Sequence, residues 1–208
     1  MKRSPKHTKQ KIVDAAAALF DSQGFDRTTV RQIACAADVN VALISYYFKH
    51  KQGLLEAIMM EYYELLFARM DACKSCDEQG RMDVQLYRMI EAHIRFQSEM
   101  NQTTRLIQRE LSVESMLGRE VMSTYLTRLK HYFVSVLEEG METGEFELTD
   151  VDHVIICLFA IAGFPYTYPQ IVREVFYIEP LEEQFIQQTV QQVYTVVRQI
   201  LTPAASSR

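Results

Sequence analysis

Hydrophobic positions fall three and four residues apart along most of this chain, the spacing that gathers them on one face of an α-helix. Ile12, Val13, Ala16, Leu19 and Phe20 form such a stripe over Thr8–Gln23, and Gly24 follows as the glycine that commonly ends a helix. A short stretch with Val30, Ile33 and Ala34 begins at Thr29, with Gln32 three residues on, the pairing of a capping box. Asn40 suits the N-cap of a further short helix, Val41–Phe48. From Lys51 to about Cys73 a longer pattern carries Leu54, Leu55, Ile58, Met59, Tyr62, Leu65, Leu66 and Met70. Helices are also predicted over Met82–Met100, Thr103–Val113, Met116–Gly140, Asp150–Phe164 and Leu181–Leu201, with Pro165 and Pro169 bounding a turn before the last. In that last segment Thr189, Val190, Val193, Val196, Val197, Ile200 and Leu201 include many β-branched residues. Their spacing, with glutamines between, still fits a helix with one apolar stripe. The expected fold class is all-α.

Residues 28–55 hold the arrangement around which the rest is organised. Two short helices separated by Ala36-Ala37-Asp38 read as a helix-turn-helix, Asp being able to take a left-handed turn. Val39 and Leu43 or Ile44 are expected to face inward, and Cys35 is placed on the inner face of the first motif helix. Asn40, Val41, Ala42, Ser45 and Tyr46 are left to look outward. A DNA major groove accepts one α-helix, and small side chains at its leading end allow close approach to base edges. Val41, Ala42 and Leu43 offer apolar contact, Ser45 and Tyr46 hydrogen bonds. Arg31 at the start of the preceding helix is the candidate for a guanine, with Thr29 beside it. Tyr47 and Lys51 fall at the helix exit, where phosphate contacts are expected.

Charge agrees with that reading. The chain of 208 residues has net charge −5, yet its first 55 residues carry nine Lys and Arg against four Asp, a net +5, leaving −10 for the remainder. A basic head on an acidic body suits a protein that puts one end on nucleic acid. Only seven glycines and five prolines interrupt the chain, which favours helices with short connections. The basic start Met1–Lys6 is either a frayed terminus or an arm on the DNA. It leads into polar residues and not an apolar signal, and the longest apolar run, Val154–Phe164, is too short for a membrane span. A cytoplasmic protein with no membrane partner is expected.

The residues quoted from the motif also resemble the DNA-binding domain of the TetR family of bacterial regulators. Thr29, Ile33-Ala34, Ala37, Val39, Tyr47, Phe48, Lys51 and Leu54-Leu55 stand at that family's pattern positions. Asp38, Asn40 and Ser45 depart from its usual Gly, Ser and Tyr. The resemblance implies a three-helix DNA-binding domain over residues 1–50 and a helical dimerisation and regulatory body over residues 51–208. It also implies a homodimer on palindromic double-stranded DNA. From the pattern alone, the apolar faces of Asp150–Phe164 and Leu181–Leu201 are covered either by the body or by a second copy. In TetR-like proteins the last two helices pair across a dimer, which assigns Val154, Leu158, Ile161, Thr189, Val193, Val196, Val197 and Ile200 to the interface. Further stretches of the body, Arg119–Leu126 and the Pro165-Tyr166, Pro169-Gln170 and Glu174–Tyr177 segments through Pro180, are similar to a TetR-like regulator of cell division that restrains assembly of the protein FtsZ. That likeness implies FtsZ as a partner. The alternative is an effector-responsive repressor whose body holds a small molecule.

Catalytic chemistry has no support in the pattern. No nucleophile–base–orienter set, phosphate-cradling glycine loop or metal-ligand spacing occurs, so neither an enzyme nor a cofactor or metal site is expected. Cys73 and Cys76 form a lone C-x-x-C without the second pair that zinc requires. His93 and His131 are single helical histidines, expected to be packed or on the surface.

Overall fold

The computed structural model describes residues 5–74, 80–112, 115–147 and 150–201. Residues 1–4 of the basic start, Cys76 of the C-x-x-C and the tail Thr202–Arg208 lie outside them. Every regular element among the described residues is helical: α1 (Pro5–Gln23), α2 (Val30–Ala36), α3 (Val41–Phe48), α4 (Lys51–Lys74), α5 (Met82–Glu99), α6 (Asn101–Leu111), α7 (Met116–Val121), a π-helical turn (Met122–Leu126), α8 (Thr127–Glu142), α9 (Val151–Thr167), α10 (Pro169–Phe176) and α11 (Glu183–Leu201).

Local chemistry sets the ends. Thr29 and Gln32 complete both bonds of the capping box. Asn40 Oδ1 accepts the Ala42 N–H at 2.8 Å, and Asp150 Oδ1 accepts that of His153 at 3.0 Å. Gly24 closes α1 at φ +88°, a conformation in which a Cβ is strained. Two expectations need correction. The segment Met116–Gly140 is not one helix: a five-residue π-turn interrupts it, where Thr127 Oγ1 donates to the Met122 carbonyl five residues back at 3.2 Å. Nor do Pro165 and Pro169 bound a simple turn. Pro165 is buried inside α9, which ends two residues later, and Pro169 opens α10 at the first-turn position that its fixed φ suits.

The chain forms two compact units, Met1–Glu64 with Gln102–Val121, and Leu65–Asn101 with Met122–Arg208. In the first, α1, α2, α3 and the start of α4 bury Ile12, Ala16, Phe20, Ile33, Ala34, Ile44, Phe48, Leu54 and Leu55. Helix α6 is bonded into the same unit. Arg105 pairs with Asp21, its Nε donating at 3.1 Å, and Arg109 donates to the Phe20 and Asp21 carbonyls at 3.3 and 3.2 Å. Guanidinium groups at the end of α1 meet the carbonyls and partial negative charge that a helix C-terminus leaves there. The buried Tyr62 and Thr104 hydroxyls share a 2.9 Å hydrogen bond.

In the second unit α5, α8, α9 and α11 pack on one another. Their core includes Leu86, Met89, Ile90, Ile94, Leu129, Phe133, Val136, Leu137, Ala162 and Val190. It also takes in half of the expected dimer interface. Val154 and Leu158 are 1% and 0% exposed, and Val193 and Val197 are 0% exposed. Those four residues are core of their own unit and not the cover of a second copy, because α5 presents an apolar face that both α9 and α11 must bury. Thr189 and Val196 are half-buried, while Ile161 and Ile200 are exposed. The outer side of α9 is apolar as well, with Ile156 63% and Phe164 43% exposed. Exposed apolar residues continue through α10 with Ile171, Val175 and Phe176. No single helix among the described residues is long and apolar enough to cross a membrane.

Candidate nucleic-acid interface

The turn of the helix-turn-helix is built by Asp38, at φ +54°, while the Val39 N–H returns to the Ala34 carbonyl at 3.0 Å. Ile33, Ala34 and Ala37 bury one face of the motif against Ile44 and Phe48. Cys35 is exposed, which corrects its placement on the inner face: one residue past Ala34 the helix has turned by about 100°. On α3 the sequence pattern is realised as a two-sided helix. Val41, Ala42, Ser45 and Tyr46 are exposed, Tyr46 at 78%, with Asn40 exposed at the leading end and Leu43 and Tyr47 half-buried at the margins. The Tyr46 and Tyr47 rings meet edge to face at 5.0 Å.

Thr29 and Arg31 are both exposed at the start of α2. The Thr29 hydroxyl is already engaged, donating to Gln32 Oε1 at 2.8 Å and accepting the Gln32 N–H at 3.3 Å. Lys51 is placed differently from the phosphate contact expected of it. Its ammonium points back into the unit, donating to the carbonyls of Phe25, Thr28 and Asp26 at 2.8, 3.0 and 3.4 Å, and lies 4.2 Å from the centre of the Phe25 ring. Three donors meet three carbonyls, so Lys51 ties the start of α4 to the α1–α2 loop.

The joint between α3 and α4 went unread in the sequence. Lys49 sits at φ +65°, ψ −59°, and the His50 N–H closes on the Phe48 carbonyl at 2.7 Å, which makes a γ-turn of the uncommon, strained hand. A non-glycine residue there costs about 1–3 kcal/mol. His50 then caps α4, its Nδ1 accepting the Gly53 N–H at 2.9 Å. A Cβ on Gly53 would stand 2.4 Å from the Phe48 carbonyl oxygen, so only glycine lets the two helices meet this closely. The available signal was a histidine at an N-cap position with a glycine three residues on.

The second unit holds two features of interest. His93 is buried among Phe133 and Phe159, and loss of water around it pushes its pKa down to about 4. A recess of about 310 Å³ lies beside the π-turn, lined by Met122, Leu126, Ile155, Ile156 and Phe159 and edged by the Lys130–Asp152 ion pair at 2.7 Å.

Residues 12–58 match the model of bacterial regulatory proteins of the tetR family, and residues 79–167 match that of the tetracyclin repressor-like C-terminal domain. The chain is 37% identical over 193 residues to the probable HTH-type transcriptional regulator YttP of Bacillus subtilis, covering 93% of each. Among solved structures it is similar in fold to PfmR of Thermus thermophilus, a TetR family transcriptional regulator, with TM-score 0.74 at 19% identity, over 92% of this chain and 98% of that one. FadR of Bacillus subtilis, solved in complex with stearoyl-CoA, gives TM-score 0.71 at 20% identity, over 94% and 98% of the two chains.

Proposed function

Because the chain belongs to the TetR family of bacterial transcriptional regulators, and so is a regulator and not an enzyme, we propose that it binds palindromic double-stranded DNA as a cytoplasmic homodimer. Helix α3 enters the major groove. The observation that carries this reading is the exposed face of α3, where Val41, Ala42, Ser45 and Tyr46 stand clear of a rigidly capped motif. Arg31 supplies the strongest base contact available, a guanidinium able to grip guanine at two points. Residues 1–50 then do the reading, and residues 51–208 dimerise and regulate. The dimer face we assign is the outer side of α9, Ile156, Ile161 and Phe164, with Val196 and Ile200 of α11. Selection of bound duplexes from a random pool tests the proposal. A two-fold symmetric consensus is expected, and recovery of an asymmetric consensus or of none would overturn it.

Within that function we favour a division regulator resembling RefZ, a TetR-like protein that acts on FtsZ. The stretches that carry the likeness include α10 and the loop behind it, and these expose Ile171, Val175, Phe176, Tyr177 and Ile178. An apolar surface of that kind suits a protein partner. Direct capture of FtsZ, lost when Val175 and Tyr177 become Ser, is the expected result. The second reading, an effector-responsive repressor, is favoured by the recess beside the π-turn, which has the size and apolar lining of a small-molecule site. A metabolite that copurifies with the chain and weakens its DNA binding would establish it instead.

A further inference from the structure

The α3–α4 joint combines features that are separately uncommon. Lys49 holds a strained γ-turn, Gly53 allows the first turn of α4 to close against the Phe48 carbonyl, and the cap that secures the start of α4 is an imidazole. Ser, Thr, Asp and Asn are the usual N-caps because their oxygens accept at any ordinary pH. An imidazole accepts through Nδ1 only while that nitrogen is unprotonated, and histidine is the side chain whose charge changes between about pH 5 and 8.

Charges of both signs lie near the joint, because the Glu110 carboxylate of α6 interacts with both Lys51 and Asp26. Lys49 lies in the turn, Lys51 follows it, and Lys9 of α1 sits 5.7 Å from the centre of the Phe48 ring. The titratable groups that α3 brings are the phenols of Tyr46 and Tyr47. The first turn of α4 contains no acidic residue, and its first carboxylate is Glu56. The positive end of α4 also opposes a cation at its N-terminus. Protonation therefore removes the acceptor that holds the Gly53 N–H.

We propose that His50 is a proton-sensitive latch on the recognition helix: neutral, it holds the strained Phe48–His50 turn and fixes α3 against α4; protonated, it releases the turn and converts sequence-specific binding into general attraction to DNA. The two effects of the proton act on different quantities. A looser joint degrades base contacts, which depend on the placement of Val41, Ser45 and Tyr46. An added positive charge beside the helix exit strengthens contacts with phosphate, which carry no sequence information. Both lower the ratio of specific to non-specific affinity.

This inference rests on the DNA-binding reading for its consequence but not for the latch itself, and the test separates the two. In the free wild-type chain, the Gly53 amide resonance and the His50 ring nitrogens are followed by NMR from pH 8 to 5.5. The amide should shift upfield with the same midpoint as the ring, and an amide that stays in place while His50 titrates would overturn the latch. The ratio of affinities for the selected site and for unrelated duplex is then measured over the same range. It should fall by about fivefold or more in the wild type, the scale of one lost N-cap. It should stay level in His50→Asn, where an amide oxygen caps at every pH, and stand at the low value even at pH 8 in His50→Lys. Parallel profiles for the wild type and His50→Asn would overturn the switch. Failure to bind DNA at any pH would refute the DNA reading and with it the switch, while the amide titration still decides the latch.

Discussion

The helix-turn-helix and the α9–α11 pair both announce themselves as apolar stripes at helical spacing, and the two stripes came to mean different things. In α2 and α3 the inward residues Ile33, Ala34, Ile44 and Phe48 are buried, and the residues between them face outward as expected. In α9 and α11 the most regular positions, Val154, Leu158, Val193 and Val197, close on α5, and a second apolar row, Ile156 and Phe164, faces outward instead. In the motif the polar residues Arg31, Gln32, Asn40 and Ser45 mark the outer side. Helix α9 is apolar almost all round, so periodicity says that it is covered and leaves open by what. The inner row of α9 has α5 for cover, and the outer row is left exposed.

The sharpest way to break the comparison is to charge both stripes of the second unit. Val193→Glu with Val197→Glu places two carboxylates in the core, each costing about 3–5 kcal/mol, a sum comparable with the whole stability of an ordinary domain. Circular dichroism should show loss of the fold; a well-folded monomer would mean that these residues do face a second copy. Ile156→Glu with Phe164→Glu should leave the fold intact and weaken self-association by roughly 2–4 kcal/mol, the range of an interface hot spot. Unchanged sedimentation of that variant would remove the outer row of α9 from the dimer.

His93 extends the contrast to pH. Its neutral ring is buried, with a pKa pushed to about 4 against 6.5 in the open chain. The unfolded chain therefore takes up a proton first. The stability that the buried neutral ring confers is complete above about pH 6.5 and is lost as pH falls toward 4, a swing on the order of 3 kcal/mol. His93→Leu should flatten the acid side of the stability profile by that amount. Chemical denaturation at pH 7 and pH 4 measures it, and equal dependence on pH in the two proteins would discount the burial.

Two smaller effects belong to the first unit. Lys51→Met leaves three loop carbonyls without their donor and should lower the melting temperature, at a cost of about 1–3 kcal/mol. It should leave the salt dependence of DNA binding unchanged, whereas a phosphate contact would reduce the slope by about one. Arg31→Ala should reduce discrimination for the preferred site by about 1–3 kcal/mol, and Ser45→Ala by less. Equal losses on specific and unrelated duplexes would move Arg31 from the bases to the backbone.

Much of this molecule is local and could be read directly from the chain. The Thr29–Gln32 box, the Asn40 and Asp150 caps, the left-handed Asp38 and the glycine after α1 are decided by residues within four positions of one another. The outward face of α3 follows from the same short range. The exposure of Cys35 was within reach too, since a strict helical count past Ala34 carries it off the inner face. Other features depended on partners far along the sequence. Lys51 looks like a surface cation until the α1–α2 loop, some 25 residues earlier, turns three carbonyls toward it. The α9 and α11 stripes acquire their cover from α5, and His93 its burial from Phe133 and Phe159. A side chain's neighbours in sequence determine which helix it joins and which face it takes. Whether that face meets water, its own core or another molecule is decided only when distant segments have come together.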